Sequence, residues 1–350
     1  MSVAPEAVAA PPFTATVLRR YADFLALEAE WRELFAAAER PLTSLRHRWL
    51  RLSWELVWRR PFNRLRVVLI RDAEGRLVMA GAFVIHFYRL VPTAGFLTSG
   101  IPQYEELLWR PSPHTAAQAT LLLETLARAT GVAPMLRVLR LRADSPLHAA
   151  VEARGHTRRV RIRMPSPFLR LGDRHDYESY FASLSQNIKV DHRRRLRRLA
   201  ELPGFSYTHD TGEPARAAIR WSFDTKRKWL VRRGLTAKWL SSGLVDRFLL
   251  AYLEGADDVP ETWVATFRLG DRIIASTISF VERDLVTFSK IAHDPDYGKH
   301  SPGRTLALNE IAHAYGRGLA EFDFGPGTVE WKRRLTGTER LLTSERLWLR

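Results

Sequence analysis

The chain has 350 residues, 54 Lys and Arg against 38 Asp and Glu, and no cysteine. That length suits about two domains of ~150 residues, and the missing cysteines exclude a disulfide scaffold, a thiolate-bound metal and a thiol nucleophile. The net charge of +16 calls for an anionic partner without naming it: nucleotide cofactor, tRNA, phospholipid surface and anionic glycan all fit.

Residues 1–12 are rich in Ala and Pro, lack basic residues and read as a disordered arm rather than a secretory leader. No apolar run approaches the ~20 residues of a membrane-spanning helix, so the expected location is the cytoplasm. A strand over Phe13–Leu18 precedes a helix over Ala22–Ala38, where Phe24, Leu27, Trp31, Leu34 and Phe35 share a face. A second helix is expected over Thr43–Trp58. Alternating runs at Arg64–Arg71 and Leu77–Tyr88, joined around Glu74-Gly75, form a hairpin signature. A Gly/Pro-rich loop (Pro92–Pro102), a helix (Thr115–Thr130), a strand (Leu136–Leu141) and a short helix (Leu147–Arg154) follow.

The second half repeats that order from a boundary near Arg163–Pro167, without residue-level repetition. A strand at Ser166–Leu171 leads to a helix over Tyr177–Leu199, a strand at Phe205–Thr208, and helices over Pro214–Arg232 and Ser241–Leu253. Three strands then form a meander: Thr262–Arg268, Arg272–Val281 and Asp284–His293. A loop to Gly303 enters a helix over Arg304–Tyr315, with a strand at Glu321–Phe324 behind it. The pattern predicts an α+β protein of two similar modules, 13–164 and 165–350, each a mixed, mainly antiparallel sheet flanked by helices.

The chemistry concentrates between Asp284 and Glu330. Alternation puts Val286, Phe288, Lys290 and Ala292 on one strand face, where Lys290 either snorkels or meets an anion. In Ser301-Pro302-Gly303-Arg304, Ser301 suits an N-cap, Pro302 the first helical position, and Gly303 removes side-chain bulk. The N–H groups of Gly303 and Arg304, backed by the helix dipole and the Arg304 charge, make an anion seat; an ordinary capped helix start is the plainer alternative.

The segment Leu285–Leu335 resembles the GNAT superfamily of N-acetyltransferases. More narrowly it resembles the two-module branch of cellulose-biosynthesis type. The motifs are Tyr297 with Pro302-Gly303, Phe322-Asp323-Phe324 with Gly327, and Trp331-Lys332; the basic helix Leu184–Leu199 also fits. The resemblance covers roughly 180–335 and is only architectural before 165. It implies tandem GNAT-like modules and an acetyl-CoA or other acyl-CoA donor, with no metal. The donor pyrophosphate would sit on Ser301, Pro302, Gly303 and Arg304, with Thr305 in the same turn. Pantetheine would follow strand Asp284–His293, and amides near Ile291, Ala292 and His293 would polarise the thioester. An amine or hydroxyl would attack directly. Asp323 and His293 are the candidate bases, against plainer roles in turns. Lys290, Tyr297, Trp331 and Lys332 are the candidate substrate contacts. Where relatives have Tyr before the Lys, this chain has Trp331, so no phenolic acid transfers.

Six of the twelve residues in Ile188–Leu199 are basic, against the single acid Asp191, while Phe181, Leu184, Ile188, Leu196 and Leu199 pack. That outer face suits tRNA, a membrane surface or CoA phosphates. Trp221–Trp239 reads as a packed helix with snorkelling arginines in preference to an acceptor groove. The first module has no counterpart of the anion seat, because Glu105 and Glu106 would repel pyrophosphate; it is expected to wall an acceptor cleft. The reading is therefore an acyltransferase, as monomer or homodimer, acting on a small-molecule or glycan- or lipid-linked acceptor. Its rivals are an aminoacyl-tRNA-dependent transferase of the peptidoglycan cross-bridge type and a non-catalytic binder of anionic polymers.

Overall fold

The computed structural model describes residues 13–98, 104–131, 135–153, 158–235, 240, 242–255 and 259–348. The expected arm at 1–12, residues 99–103 just before Glu105 and Glu106 in the first module, and Trp239 lie outside them. Chain contacts define two units, and the chain passes from the first to the second between Ile162 and Arg163.

The first unit contains β1 (Thr14–Leu18), α1 (Tyr21–Ala26), α2 (Glu28–Ala37), α3 (His47–Leu52), β2 (Arg64–Arg71), β3 (Leu77–Tyr88), β4 (Val91–Phe96), β5 (Leu108–Trp109), α4 (Thr115–Ala129), β6 (Met135–Arg142) and α5 (Pro146–Ala153). Its sheet runs β1-β2-β3-β4-β6, antiparallel except for β4 against β6. Leu122, Leu123 and Leu126 of α4 and Leu147 and Val151 of α5 close its core against Val68, Phe83 and Val138.

Three expectations change here. The helix expected over Ala22–Ala38 is two helices that meet at Leu27, and the one expected over Thr43–Trp58 is a 3-10 turn, α3 and a π-helical turn. Strand β4 lies where a loop was expected. Pro92 and Gly95 read as punctuation, but each takes a ladder position, opposite Phe87 and Val84. Finally, Glu105 and Glu106, expected only to repel a pyrophosphate, are buried. Leu139 N–H donates to Glu105 Oε2 at 2.7 Å, and Ser145 Oγ and Leu107 N–H donate to Glu106 Oε1. Burial pushes both carboxyls up to about 7.

The second unit contains most of β7 (Arg158–Arg170), then α6 (Tyr177–Ser183), α7 (Gln186–Ala200), β8 (Phe205–Asp210), α8 (Gly212–Arg232), α9 (Leu244–Leu253), β9 (Glu261–Leu269), β10 (Arg272–Glu282), β11 (Leu285–His293), a 3-10 turn (Pro295–His300), α10 (Pro302–Gly316), β12 (Glu321–Asp323) and α11 (Glu330–Thr336). The last strand, β13 (Thr338–Trp348), passes back to the first unit from Thr343. The sheet order is β7-β12-β11-β10-β9-β8, antiparallel except for β11 beside β12. Helix α10 buries Ala307, Leu308, Ile311 and Ala314 against Val286, Phe288, Phe322 and Phe324. The helix expected over Tyr177–Leu199 divides at Leu184-Ser185, and Asp176 Oδ1 caps α6 by accepting from Ser179 N–H at 2.7 Å. Elements α11 and β13 had no sequence expectation. No helix among the described residues is long and apolar enough to cross a membrane.

Candidate active site

Two irregularities of β11 build the site. First, β12 pairs with β11 only at Leu285, Val286 and Thr287, whereas β11 runs on to His293. The two parallel strands therefore part after three residues. Second, Ile278 of β10 opposes Lys290 while Ser279 opposes Phe288, so Ser289 is an extra, bulged residue. The bulge reverses the expected alternation. Ile291, not Lys290, continues the face of Val286 and Phe288 toward α10, because one inserted residue turns every later side chain over.

At the end of β11 stands the start of α10. Gly303 is buried there: a Cβ on it would lie 3.1 Å from Ile291 Cδ1 and 3.6 Å from His293 Nδ1. The glycine thus lets the helix mouth close onto the strand. Pro302 occupies the first helical position as expected. Ser301 does not cap. It sits in the left-handed region at φ 42°, makes no side-chain cap bond, and its Oγ accepts from Arg195 Nη1. The role expected of Ser301 is lost to that arginine. Arg304 Nη2 donates to Asp191 Oδ2, while Asp191 Oδ1 accepts from Arg194 at 2.7 Å and Arg195 at 2.8 Å. One α7 carboxylate thereby holds three guanidinium groups around the helix mouth. Thr305 Oγ1 and N–H both donate to Ser301 O, which spends Thr305 on the turn itself.

A cavity of about 540 Å³ opens at this junction. Its walls include Ile291, Ala292 and His293 of β11, Ser301, Gly303 and Arg304 of the helix mouth, Trp331 and Lys332 of α11, and Thr225, Lys226 and Trp229 of α8. A second cavity, about 240 Å³, shares Lys226, Ile291 and Lys332 with the first and adds Ser222, Phe223, Leu240, Ser289, Lys290, Phe324 and Pro326. Eight of the sequence-selected residues thus meet at the larger cavity, and Lys290 lines the smaller. Tyr297 lines neither: it packs against the cluster of Leu199, Phe267 and Leu306, with the Arg272 guanidinium 5.1 Å from its ring centre. Sequence reasoning passed over Thr225, Lys226 and Trp229, taking Trp221–Trp239 as plain packing. Their signal was the spacing of Trp229 about one helical turn from Thr225 and Lys226, which puts the three on one side of α8.

The two candidate bases differ in environment. Asp323 is fully buried; Arg340 Nη1 donates to its Oδ2 at 2.6 Å, and Gly325 N–H donates to its Oδ1 at 2.7 Å. It lines neither cavity. His293 stands in the wall of the larger one, and burial and then Lys226 hold its imidazole below the ordinary histidine value. Lys332 donates to Phe324 O at 2.8 Å, with its ammonium 5.9 Å from the ring centres of Phe288 and Phe324. Burial, and secondarily Lys226, lowers it to about 8 against the pull of Asp323.

Residues 186–333 match the family model of the acetyltransferase (GNAT) domain. No curated protein matches the sequence. Among solved structures the chain is similar to FemX, at 8% identity and TM-score 0.64 over 94% of this chain and 96% of that one. It is similar to L-PGS from Bacillus licheniformis, at 10% identity and TM-score 0.57 over 92% of each. It is also similar to a tandem GNAT protein from the clavulanic acid biosynthesis pathway, at 14% identity and TM-score 0.51 over 95% of this chain and 98% of that one. At such identities the likeness is one of fold. The class is therefore an α+β fold of GNAT type, and the stretch matched by the acetyltransferase model is the part of the second unit that carries the site. These findings show the fold and an acetyltransferase-type stretch over residues 186–333, and do not reach the narrower cellulose-biosynthesis branch.

Proposed function

We propose that the protein transfers an acyl group from acyl-CoA to an amine or hydroxyl, with the second unit binding the donor. The observation behind this reading is the wedge between β11 and β12 ending at the mouth of α10, where Gly303 packs against Ile291. A parting parallel pair exposes the backbone of one strand to an extended ligand. The helix start beyond it offers first-turn N–H groups and Arg304 to a diphosphate. The residues fit such a group: among the described residues no carboxylate lines either cavity.

In this reading Gly303 and Arg304 seat the diphosphate, and the β11 backbone around Ile291–His293 holds the pantetheine and orients the thioester carbonyl. His293, whose imidazole is held below the ordinary histidine value, accepts the proton of the attacking amine. Asp323 fixes Arg340 and the Gly325 turn, and takes no proton. The test is calorimetric titration with acetyl-CoA followed by incubation with labelled acetyl-CoA and a cell extract. Saturable binding and a labelled product are expected; no binding at millimolar acetyl-CoA overturns the reading.

The exposed arginines of α7 favour a second reading, an aminoacyl-tRNA-dependent transferase. Arg193, Arg197 and Arg198 project from a helix adjoining the same mouth. Titration with tRNA at two salt concentrations separates the two, since polyanion contact weakens steeply with salt.

A further inference from the structure

We propose that the smaller cavity is a carboxylate subsite: the substrate that enters beside the thioester carries an anionic carboxyl group, either at the end of the acyl chain or on the acceptor. This rests on the acyl-transfer reading and names the substrate chemistry of the same site.

Three lysines, Lys226, Lys290 and Lys332, line a space of about 240 Å³, and among the described residues no acidic one joins them in its walls. They come from three elements: Lys226 from α8, Lys290 from the strand just past the Ser289 bulge, and Lys332 from α11. Convergence from three directions is not the arrangement of a solvated basic face, in which charges diverge into water. The rest of the wall is largely apolar (Phe223, Leu240, Phe324, Pro326), so water screens these charges poorly. Burial lowers both Lys226 and Lys332, and the Lys226 charge lowers Lys332 further. The Lys226 charge thus raises the cost of charging Lys332, a tension that an entering oxyanion relieves. Asp323, the acid that acts on Lys332, is committed to Arg340 and the Gly325 amide.

Lys226 and Lys332 also line the cavity that holds the donor's diphosphate seat, but Lys290 does not, and the donor's own phosphates leave that lysine unaccounted for. Their seat is at Gly303 beside His293, and Ser289 precedes His293 by four residues, roughly 13 Å along a strand. The apolar walls favour a carboxyl on a short carbon skeleton, as in a dicarboxylic acyl group or an amino-acid acceptor. The Ser289 bulge is what delivers Lys290: without the inserted residue its side chain would turn toward α10.

The test has two arms on one protein, both read by calorimetry. In the donor arm, succinyl-CoA is compared with butyryl-CoA and glutaryl-CoA with valeryl-CoA. In the acceptor arm, glutamate and its side-chain amide are titrated into the protein saturated with CoA. The proposal expects at least about tenfold tighter binding of the carboxylate than of its neutral partner in one arm, and that arm identifies which substrate bears the group. Lys290→Met, at the lysine that lines the smaller cavity and not the larger one, should remove the preference and leave CoA binding unchanged. Equal binding of acid and neutral partner in both arms, with CoA bound normally, overturns the subsite. If CoA itself fails to bind while glutamate still protects Lys226 and Lys332 from amine-reactive reagents, the donor reading falls and the anion subsite stands.

Discussion

Arg340 Nη1 lies 2.6 Å from the Oδ2 of Asp323, whose side chain is fully removed from solvent. On this pair rests our proposal that Asp323, which sequence reasoning offered as a base, has a structural role instead. Removing one partner of a buried ion pair leaves the other uncompensated, at about 3–5 kcal/mol. Asp323→Ala should therefore lose stability on that scale in denaturant unfolding. Asp323→Asn, if it folds, should keep the pH profile of the reaction; loss of the acid limb would return Asp323 to catalysis.

His293 and Lys226 are coupled through the cavity wall. The Lys226 charge depresses the imidazole, so kcat/KM should fall on the acid side with an apparent pKa below 6.5. Lys226→Met should move that limb upward, toward the ordinary histidine value. His293→Gln should lower kcat by about 10²–10⁴ while acetyl-CoA still raises the melting temperature.

Gly303 gives a graded test of the helix mouth. Ala adds a Cβ 3.1 Å from the end of Ile291, a flexible contact that can yield by tenths of an ångström. Gly303→Ala should weaken CoA only slightly. Gly303→Glu sets a carboxylate where the diphosphate belongs, and a like charge at ~4 Å costs several kcal/mol in partly buried surroundings. Its thermal shift with acetyl-CoA should vanish.

Asp191 restrains Arg194, Arg195 and Arg304 together. Asp191→Asn leaves those cations without their counter-charge, so CoA should bind a few-fold more tightly at low salt and the gain should fade as salt rises. The pairs are only partly buried, so the stability lost should be about 1 kcal/mol or less.

In the first unit, burial raises Glu106 from 4.5 to about 7. A carboxyl whose folded pKa is raised contributes most to stability below pH 4.5 and progressively less as pH climbs through 7. Glu106→Gln keeps an acceptor for Leu107 N–H without the charge. It should unfold at higher temperature than the parent protein at pH 8 and at a similar one near pH 4.5, a difference on the order of 1–3 kcal/mol.

The sequence by itself determined the elements whose signals are local. Apolar period and turn residues marked the β2–β3 hairpin, the β9–β10–β11 meander and α10, because each is written in consecutive residues. It also brought Ile291, Gly303, Arg304 and Lys332 forward as one site. Tertiary structure alone decided how those residues are used. Whether Ser301 caps depends on Arg195, 106 residues away in sequence, which takes its hydroxyl. Whether Asp323 is free depends on Arg340. Which way Lys290 points depends on a bulge visible only against β10. Trp229 and Lys226 become cavity wall because α8 packs on β11, and no periodicity within a helix states what its polar side will face. Local chemistry fixes conformation over a few residues, whereas the state of a buried charge is set by whichever distant group the fold brings within hydrogen-bond reach.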